Sequence, residues 1–194
     1  IYLCRVDQIL YRKLEIQYAE KKPVWKKILR TAAKEMGWKI AKSRWIDINK
    51  GDDKNLNYRS RMVGKEFNDS VVDGLFAATP PLEALRLLLS WAATLPTDSS
   101  VSGVREKGSG KSILIADVSR AFFEAPAKRD LCMGLPEEAL QGEETTLSTV
   151  GKLLASLYGT RGASANWQEE VIRYMREWGF DVSRFNSCMF QHES

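Results

Sequence analysis

The stretch from Ile113 to Phe123 constrains the fold more than any other, because it joins an apolar run to a carboxylate and two aromatic rings. Five of the six residues at 113–118 are apolar, which predicts a strand buried on both faces. A buried, ionised carboxylate is costly, so Asp117 is expected at an open strand end or beside a cation. Taken alone, the stretch is better explained by Asp117 capping a short helix that begins at Val118. The segments on either side therefore decide between the two interpretations.

The composition is that of an ordinary globular chain. Of its 194 residues, 44% are hydrophobic and 28% are charged, which suits one substantial core or two small lobes that share one. No apolar run approaches the length of a membrane span and no signal peptide opens the sequence, so no membrane partner is expected. Three widely spaced cysteines indicate a reducing compartment without a disulfide framework, and a single histidine argues against a zinc site.

The charge is distributed unevenly along the chain. Residues 1–65 carry 17 Lys and Arg against 7 Asp and Glu, a net of +10, whereas the remaining residues carry 12 against 18, a net of −6. A basic front lobe followed by an acidic remainder suits a polyanionic partner held near metal-binding carboxylates. By charge alone, a solvated, lysine-rich helical surface explains the pattern equally well.

Patterning in the first third of the chain predicts two helices and a hairpin. Apolar spacing places the helices over residues 5–20 and 24–36, the second of them ended by a glycine. Residues 38–48 and 56–67 have strand character and flank the turn-forming segment 49–53.

The second strand of this hairpin has a basic face. Period-2 alternation within Tyr58–Lys65 places three cations on one side, Arg59, Arg61 and Lys65. Cations in such a row repel each other unless an anion binds, and guanidinium groups match phosphate oxygens. A triphosphate or a nucleic-acid backbone is the natural anion, although an edge strand protected by charge has the same pattern.

Two more helices are predicted in the rest of the chain, with a Gly/Ser-rich loop at 96–112 between them. The first runs from Thr79 to Ala93, and the second follows Tyr158 and ends at Gly179. Each has an apolar stripe expected to face a core: Leu82, Leu85, Leu88, Leu89 and Ala92 in the first, and Trp167, Val171, Tyr174 and Trp178 in the second. The second helix is entered through two glycines and Arg161, which would admit another molecule's backbone and offer N–H donors to an anion. A plain helix-start loop has the same composition.

The order of these segments resembles the reverse transcriptase of copia-type LTR retrotransposons, over a span from about Arg44 to Phe190. The segment YRSRMVGKEF is similar to that family's fingers strand, and LFAATPPLEALRLLLSWAA to the helix after it. DVSRAFF resembles motif A, LYGTRGASANWQEEV resembles motif B, and GFDVSRFNSCMF resembles the segment that leads to motif C. Several independent motifs thus occur in the family's order.

The resemblance implies an α+β fold, a fragment of the fingers and palm of a right-hand polymerase, with an antiparallel sheet packed on helices. Residues 1–37 would form an N-terminal helical segment. Residues 38–112 would form a fingers-like region with a core helix at 79–95, and residues 113–194 a partial palm truncated before motif C.

The resemblance also implies roles for matching residues. Asp117 would be the motif A carboxylate that holds both catalytic Mg²⁺ ions, with the Val118 carbonyl as a further ligand and Mn²⁺ as an alternative ion. Phe122 would stack under the sugar of the incoming nucleotide and exclude a 2′-hydroxyl. Arg59 and Arg61 stand where fingers cations hold the incoming triphosphate, and the resemblance does not distinguish which of them does so; Lys65 would be a further nucleotide-binding residue. The template and primer contacts would come from Tyr158, Gly159 and Arg161, supported by Ala163 and Trp167.

The implied function is RNA-directed DNA polymerisation by two-metal nucleotidyl transfer. Its partners would be an RNA template, a DNA primer, a deoxynucleoside triphosphate and the rest of a Pol polyprotein (remaining palm, thumb and ribonuclease H). Its location would be a cytoplasmic virus-like particle, with nuclear delivery of the product.

The family's Tyr-x-Asp-Asp element is expected just after Gln191, and the sequence ends at Ser194 without it, so this chain is expected to be inactive alone. The alternatives are a non-catalytic nucleic-acid-binding module from a decayed or domesticated element, and a basic protein-interaction domain.

Overall fold

The computed structural model describes residues 5–52, 54–67, 74–93 and 113–192. The loop predicted at 96–112 lies outside them. The described residues belong to two compact units, unit 1 from the ranges 1–77 and 120–171, and unit 2 from 78–119 and 172–194. The domain boundaries predicted from the sequence stay a prediction.

Unit 1 is built on a five-stranded sheet. Its strands lie in the order β1-β5-β4-β2-β3, with β2 and β4 parallel and the other neighbours antiparallel. The strands are β1 (Trp25–Leu29), β2 (Lys39–Asn49), β3 (Tyr58–Lys65), β4 (Leu131–Gly134) and β5 (Thr149–Leu153). The α+β class and the β2–β3 hairpin are confirmed, whereas the expectation of a wholly antiparallel sheet was wrong. A parallel pair needs a long connection, and the chain between β2 and β4 provides one.

Four α-helices occur in the described part of the chain: α1 (Arg5–Lys21), α2 (Arg30–Glu35), α3 (Leu82–Ala93) and α4 (Ala163–Glu177). Short 3₁₀ turns lie at Ala121–Glu124 and Glu137–Ala139. The first predicted helix is confirmed as α1. The prediction of one helix over 24–36 was partly wrong, because Trp25–Leu29 pairs with β5 as a strand, and that ladder outweighs the helical spacing of its apolar residues.

The core of unit 1 lies between α1 and the sheet. Ile16 and Ala19 of α1 pack in one buried cluster with Met62 of β3, Met133 of β4 and Leu157. The glycine predicted to end the second helix, Gly37, follows α2 with φ +68°.

Unit 2 leaves much of its apolar surface open. The α3 stripe was predicted to be buried, but Leu82, Leu85, Leu88 and Leu89 are all exposed, and Ala84 is the buried residue of that helix. On α4 the stripe prediction was wrong for Tyr174 and for Trp178, which is 75% exposed. The described part of unit 2 adds only a small hairpin, β6 (Phe180–Val182) and β7 (Phe190–His192), which is too little to cover these faces.

The strand predicted at 113–118 was wrong. This segment is irregular and its apolar side chains face solvent, with Leu114 91% exposed. An apolar run indicates that a segment favours burial, but it does not show whether another strand lies beside it. No strand of the described residues pairs with this segment.

Among the residues that the structure describes, no helix is long and apolar enough to cross a lipid bilayer.

Truncating Met133, whose side chain is fully buried, should lower the free energy of unfolding by about 2–5 kcal/mol in the Met133→Ala variant, because it leaves a cavity in the core. Equilibrium urea denaturation measures this. The matched control is Met36→Ala, since Met36 is 63% exposed, and its expected change is within about 0.5 kcal/mol. Equal losses in the two variants would contradict this account of the core.

Candidate nucleic-acid interface

The register of the β2–β3 hairpin extends the predicted basic face onto a second strand. Arg61 lies opposite Ile46, Arg59 opposite Ile48 and Lys65 opposite Lys42. Opposite residues of an antiparallel pair point to the same side, so one face carries five cations, two isoleucines and the buried Val63. We call this set the basic hairpin face: Lys42, Arg44, Ile46, Ile48, Arg59, Arg61 and Lys65.

Among the residues that the structure describes, no carboxylate neutralises the basic hairpin face. In the described part of the chain, none of Lys42, Arg44, Arg59 and Lys65 forms an ion pair with a carboxylate. The carboxylate of β2, Asp47, belongs to the opposite side, where it accepts hydrogen bonds from Arg12 of α1 at 2.5 and 3.3 Å. Lysines directly across a ladder repel each other, so the face is suited to an anionic ligand.

Arg61 is the cation of this face that packs against an aromatic ring. Its guanidinium carbon lies 4.9 Å from the centre of the Tyr158 ring, and its Nε is buried without a hydrogen-bond partner among the described residues. The Phe122 ring lies 4.8 Å from the same Tyr158 ring, centre to centre, and the buried Phe123 ring lies 5.9 Å from it. Arg61, Phe122 and Tyr158 therefore form one stack, which we call the Arg61 stack.

Phe122 is held in place by the turn that carries it. Arg120, two residues before Phe122, has φ +51° and ψ +44°, a left-handed conformation that non-glycine residues rarely adopt. Its guanidinium donates to the buried Glu15 carboxylate of α1 at 2.8–2.9 Å and lies 4.0 Å from the centre of the Tyr18 ring. The 3₁₀ turn Ala121–Glu124 is thus anchored to α1.

Tyr158 is held against the free edge of β3 by backbone contacts. The Gly64 N–H donates to the Tyr158 carbonyl at 2.7 Å, and the Glu66 N–H donates to the Gly159 carbonyl at 3.3 Å. Gly159 has φ +76°, and a Cβ there would lie 2.1 Å from the Gly64 carbonyl oxygen. The glycines before α4 were expected to admit another molecule's backbone, whereas the backbone that lies against Gly159 is that of Gly64.

The turn that leads into α4 contacts an anionic group of the protein itself, the Glu66 carboxylate, and binding of an external anion there stays a prediction. The Glu66 side chain is fully buried and accepts hydrogen bonds from the two terminal nitrogens of Arg129, Nη1 and Nη2, and from the Arg161 N–H, each at 2.8 Å. Burial alone would raise the pKa of Glu66, but the bonds from Arg129 and Arg161 outweigh it and hold that pKa below its usual value. Glu66 and Arg129 were not predicted as site residues, because a charged residue at a strand end is ordinarily solvated.

The other residues predicted for the site differ in their exposure. Arg161 is half-buried, and of the residues expected to support the entrance, Ala163 is buried and Trp167 half-buried. Asp117 and Val118 lie exposed in the irregular segment of unit 2, whereas the Arg61 stack belongs to unit 1.

The described residues do not by themselves fit a catalytic magnesium pair. Mg²⁺ sites of polymerases use paired carboxylates with substrate phosphates. Within the described ranges, no three or more His, Cys, Asp or Glu side chains are grouped so that they could hold a metal ion, and Asp117 contributes one carboxylate.

Comparison of the chain with known protein families, with curated proteins and with solved structures gives no match.

Adding a methyl group at Gly159 should be costly, because Gly159→Ala places a Cβ against the Gly64 carbonyl in a left-handed conformation. We expect the free energy of unfolding to fall by about 3 kcal/mol or more, measured by equilibrium urea denaturation. The control is Gly142→Ala, where φ is +59° and nothing lies within 4 Å of the added Cβ. It should lose only about 1–2 kcal/mol, the cost of the conformation alone, and a Gly159→Ala loss no larger than that would refute the close contact.

Proposed function

We propose that this chain carries the fingers and part of the palm of an RNA-directed DNA polymerase of the copia type, and that its basic hairpin face and Arg61 stack contact nucleic acid and nucleotide. One observation carries the proposal. Three segments that resemble three different polymerase motifs supply one residue each to the Arg61 stack: Arg61 from the fingers strand, Phe122 from motif A and Tyr158 from motif B. Residues separated by up to 97 positions in the sequence are in contact there. Chance similarity of three short motifs would give no reason for these residues to lie together.

The chemistry of the stack suits a nucleoside triphosphate. A guanidinium offers a planar fork that matches phosphate oxygens, and here it is preorganised by an aromatic ring, so less side-chain entropy is lost on binding. Phe122 offers a ring beside it, and the resemblance assigns that ring to the sugar. Cations of this kind stabilise the charge on the departing pyrophosphate.

The rest of the basic hairpin face suits a longer polyanion. Exposed Lys42 and Arg44 continue the row of charge along β2, and the half-exposed Ile46 and Ile48 provide apolar contact between the cations. Side chains of this mixture follow a phosphate backbone and cover its sugars without reading sequence. An RNA/DNA hybrid is therefore the ligand to test first.

Binding to an RNA/DNA hybrid should be strongly salt-dependent and should involve the β2 cations. Fluorescence anisotropy across a salt series is expected to give a steep decrease of log K with log salt, with a slope of roughly −0.9 per neutralised phosphate on duplex DNA. The double variant Lys42→Gln/Arg44→Gln should weaken binding about tenfold at low salt and make the slope shallower by roughly 1 to 2.

The matched control removes two charges elsewhere. Lys26 on β1 is exposed at the opposite edge of the sheet, and Lys34 is exposed on α2. Lys26→Gln/Lys34→Gln has the same net charge as the test variant and should bind the hybrid nearly as the unchanged chain does. A flat salt response of the unchanged chain, or equal losses in both double variants, would contradict the proposed interface.

A second candidate, a non-catalytic nucleic-acid-binding module, is favoured by the exposed, irregular setting of Asp117 and by the lack of a carboxylate cluster in the described ranges. The two candidates share the basic hairpin face. They differ in whether Asp117 matters to synthesis.

Asp117→Asn tests the difference in a longer polypeptide that also supplies the remaining metal ligands. If the chain belongs to a polymerase, primer extension should fall below detection while hybrid affinity stays within about twofold, because a metal ligand is lost but no phosphate contact. The control is Asp181→Asn, an exposed carboxylate of β6, which should keep full synthesis. Unchanged primer extension by Asp117→Asn would remove the catalytic assignment.

A further inference from the structure

The Glu66 carboxylate joins three segments that are far apart in the sequence. It follows the last residue of β3, accepts two hydrogen bonds from Arg129 before β4, and accepts a third from the Arg161 N–H at the entrance of α4. Lys39 of β2 adds a longer ion pair at 3.9 Å. The side chain is fully buried, so each of these donors replaces water that the carboxylate has lost.

These bonds act on the same turn that carries Tyr158. Residues 158–161 meet β3 through two backbone hydrogen bonds, from the Gly64 N–H and from the Glu66 N–H, and through the close approach of Gly159 to Gly64. The Arg161 N–H bond to Glu66 closes the other end of the turn. The turn is therefore fixed at both ends against one strand, and Arg61 lies on that strand five residues before Glu66.

We propose that Glu66 is a positioning residue for ligand binding at the Arg61 stack, holding the 158–161 turn on β3 so that the Tyr158 ring stays under the Arg61 guanidinium. This inference rests on the proposed function where it concerns ligand binding, but its structural half stands on the free protein. Glu66 itself touches no ligand, because its carboxylate is enclosed by protein donors.

Amide hydrogen exchange of the ligand-free protein tests the structural half. If the turn opens as one unit, the Gly64, Glu66 and Arg161 amides should exchange with a common opening constant in the unchanged chain. In Glu66→Gln, the Gly64 and Arg161 amides should exchange at least about tenfold faster, while the β1–β5 ladder keeps its protection. Unrelated opening constants, or unchanged exchange in the variant, would overturn the proposal.

A double-mutant cycle on the affinity for the RNA/DNA hybrid tests whether Glu66 acts on ligand binding through Arg61. Glu66→Gln and Arg61→Lys should each weaken binding, and the double variant should be little weaker than Arg61→Lys alone, because Glu66 acts through Arg61. The control cycle pairs Arg61→Lys with Asp47→Asn, which breaks a half-buried arginine–carboxylate pair on the opposite side of the same hairpin. That cycle should be additive, and additivity in the Glu66 cycle would reduce Glu66 to a general contribution to stability.

Arg129→Lys tests the same structural role of Glu66 with a smaller change, since lysine keeps the positive charge but cannot make the paired hydrogen bonds to the carboxylate. It should reproduce the exchange pattern of Glu66→Gln, and an unaltered pattern counts against the proposal. If the unchanged chain fails to bind the hybrid, the proposed function fails, while the exchange measurements still decide whether Glu66 holds the turn.

Discussion

The backbone of strand β3 and the backbone of the turn before α4 meet with no side chain between them, and the placement of the Arg61 stack depends on that contact. Gly64 and Gly159 face each other so closely that a Cβ on Gly159 has no room. Two hydrogen bonds and the Glu66 carboxylate hold the contact together. Because β3 is an edge strand, the turn takes the position that a further strand would otherwise occupy.

That contact also explains how aromatic and cationic groups come to lie together. Tyr158 leads into the glycine, so its ring is delivered to the β3 edge, where Arg61 reaches it. Phe122 reaches the same ring from a 3₁₀ turn whose left-handed Arg120 is tied to α1 through Glu15. Two ion pairs with buried carboxylates, both outside the stack, thus hold its aromatic residues in place. Glu15 with Arg120 anchors the turn that carries Phe122, and Glu66 with Arg129 anchors the turn that carries Tyr158.

Local patterning predicted the parts of this fold that are decided locally. The hairpin, α1 and the end of α4 followed from alternation, helical spacing and glycine, because each depends on residues close in sequence. The failures share another cause. Trp25–Leu29 and the run at 113–118 depend on whether a strand lies beside them, and sequence spacing does not supply that information. Similarly, Arg59, Arg61 and Lys65 were recognisable from alternation, whereas Lys42 and Arg44 joined them only through the register of the pairing.

The lysines that face each other across the hairpin, Lys42 and Lys65, have a consequence for how ionic strength acts on the protein. Salt screens their mutual repulsion, so added salt should make the empty hairpin more rigid. The same salt competes with any bound phosphate chain and so weakens the complex. High salt therefore favours a rigid, ligand-free hairpin, whereas low salt favours a more flexible hairpin that becomes ordered when it binds a polyanion.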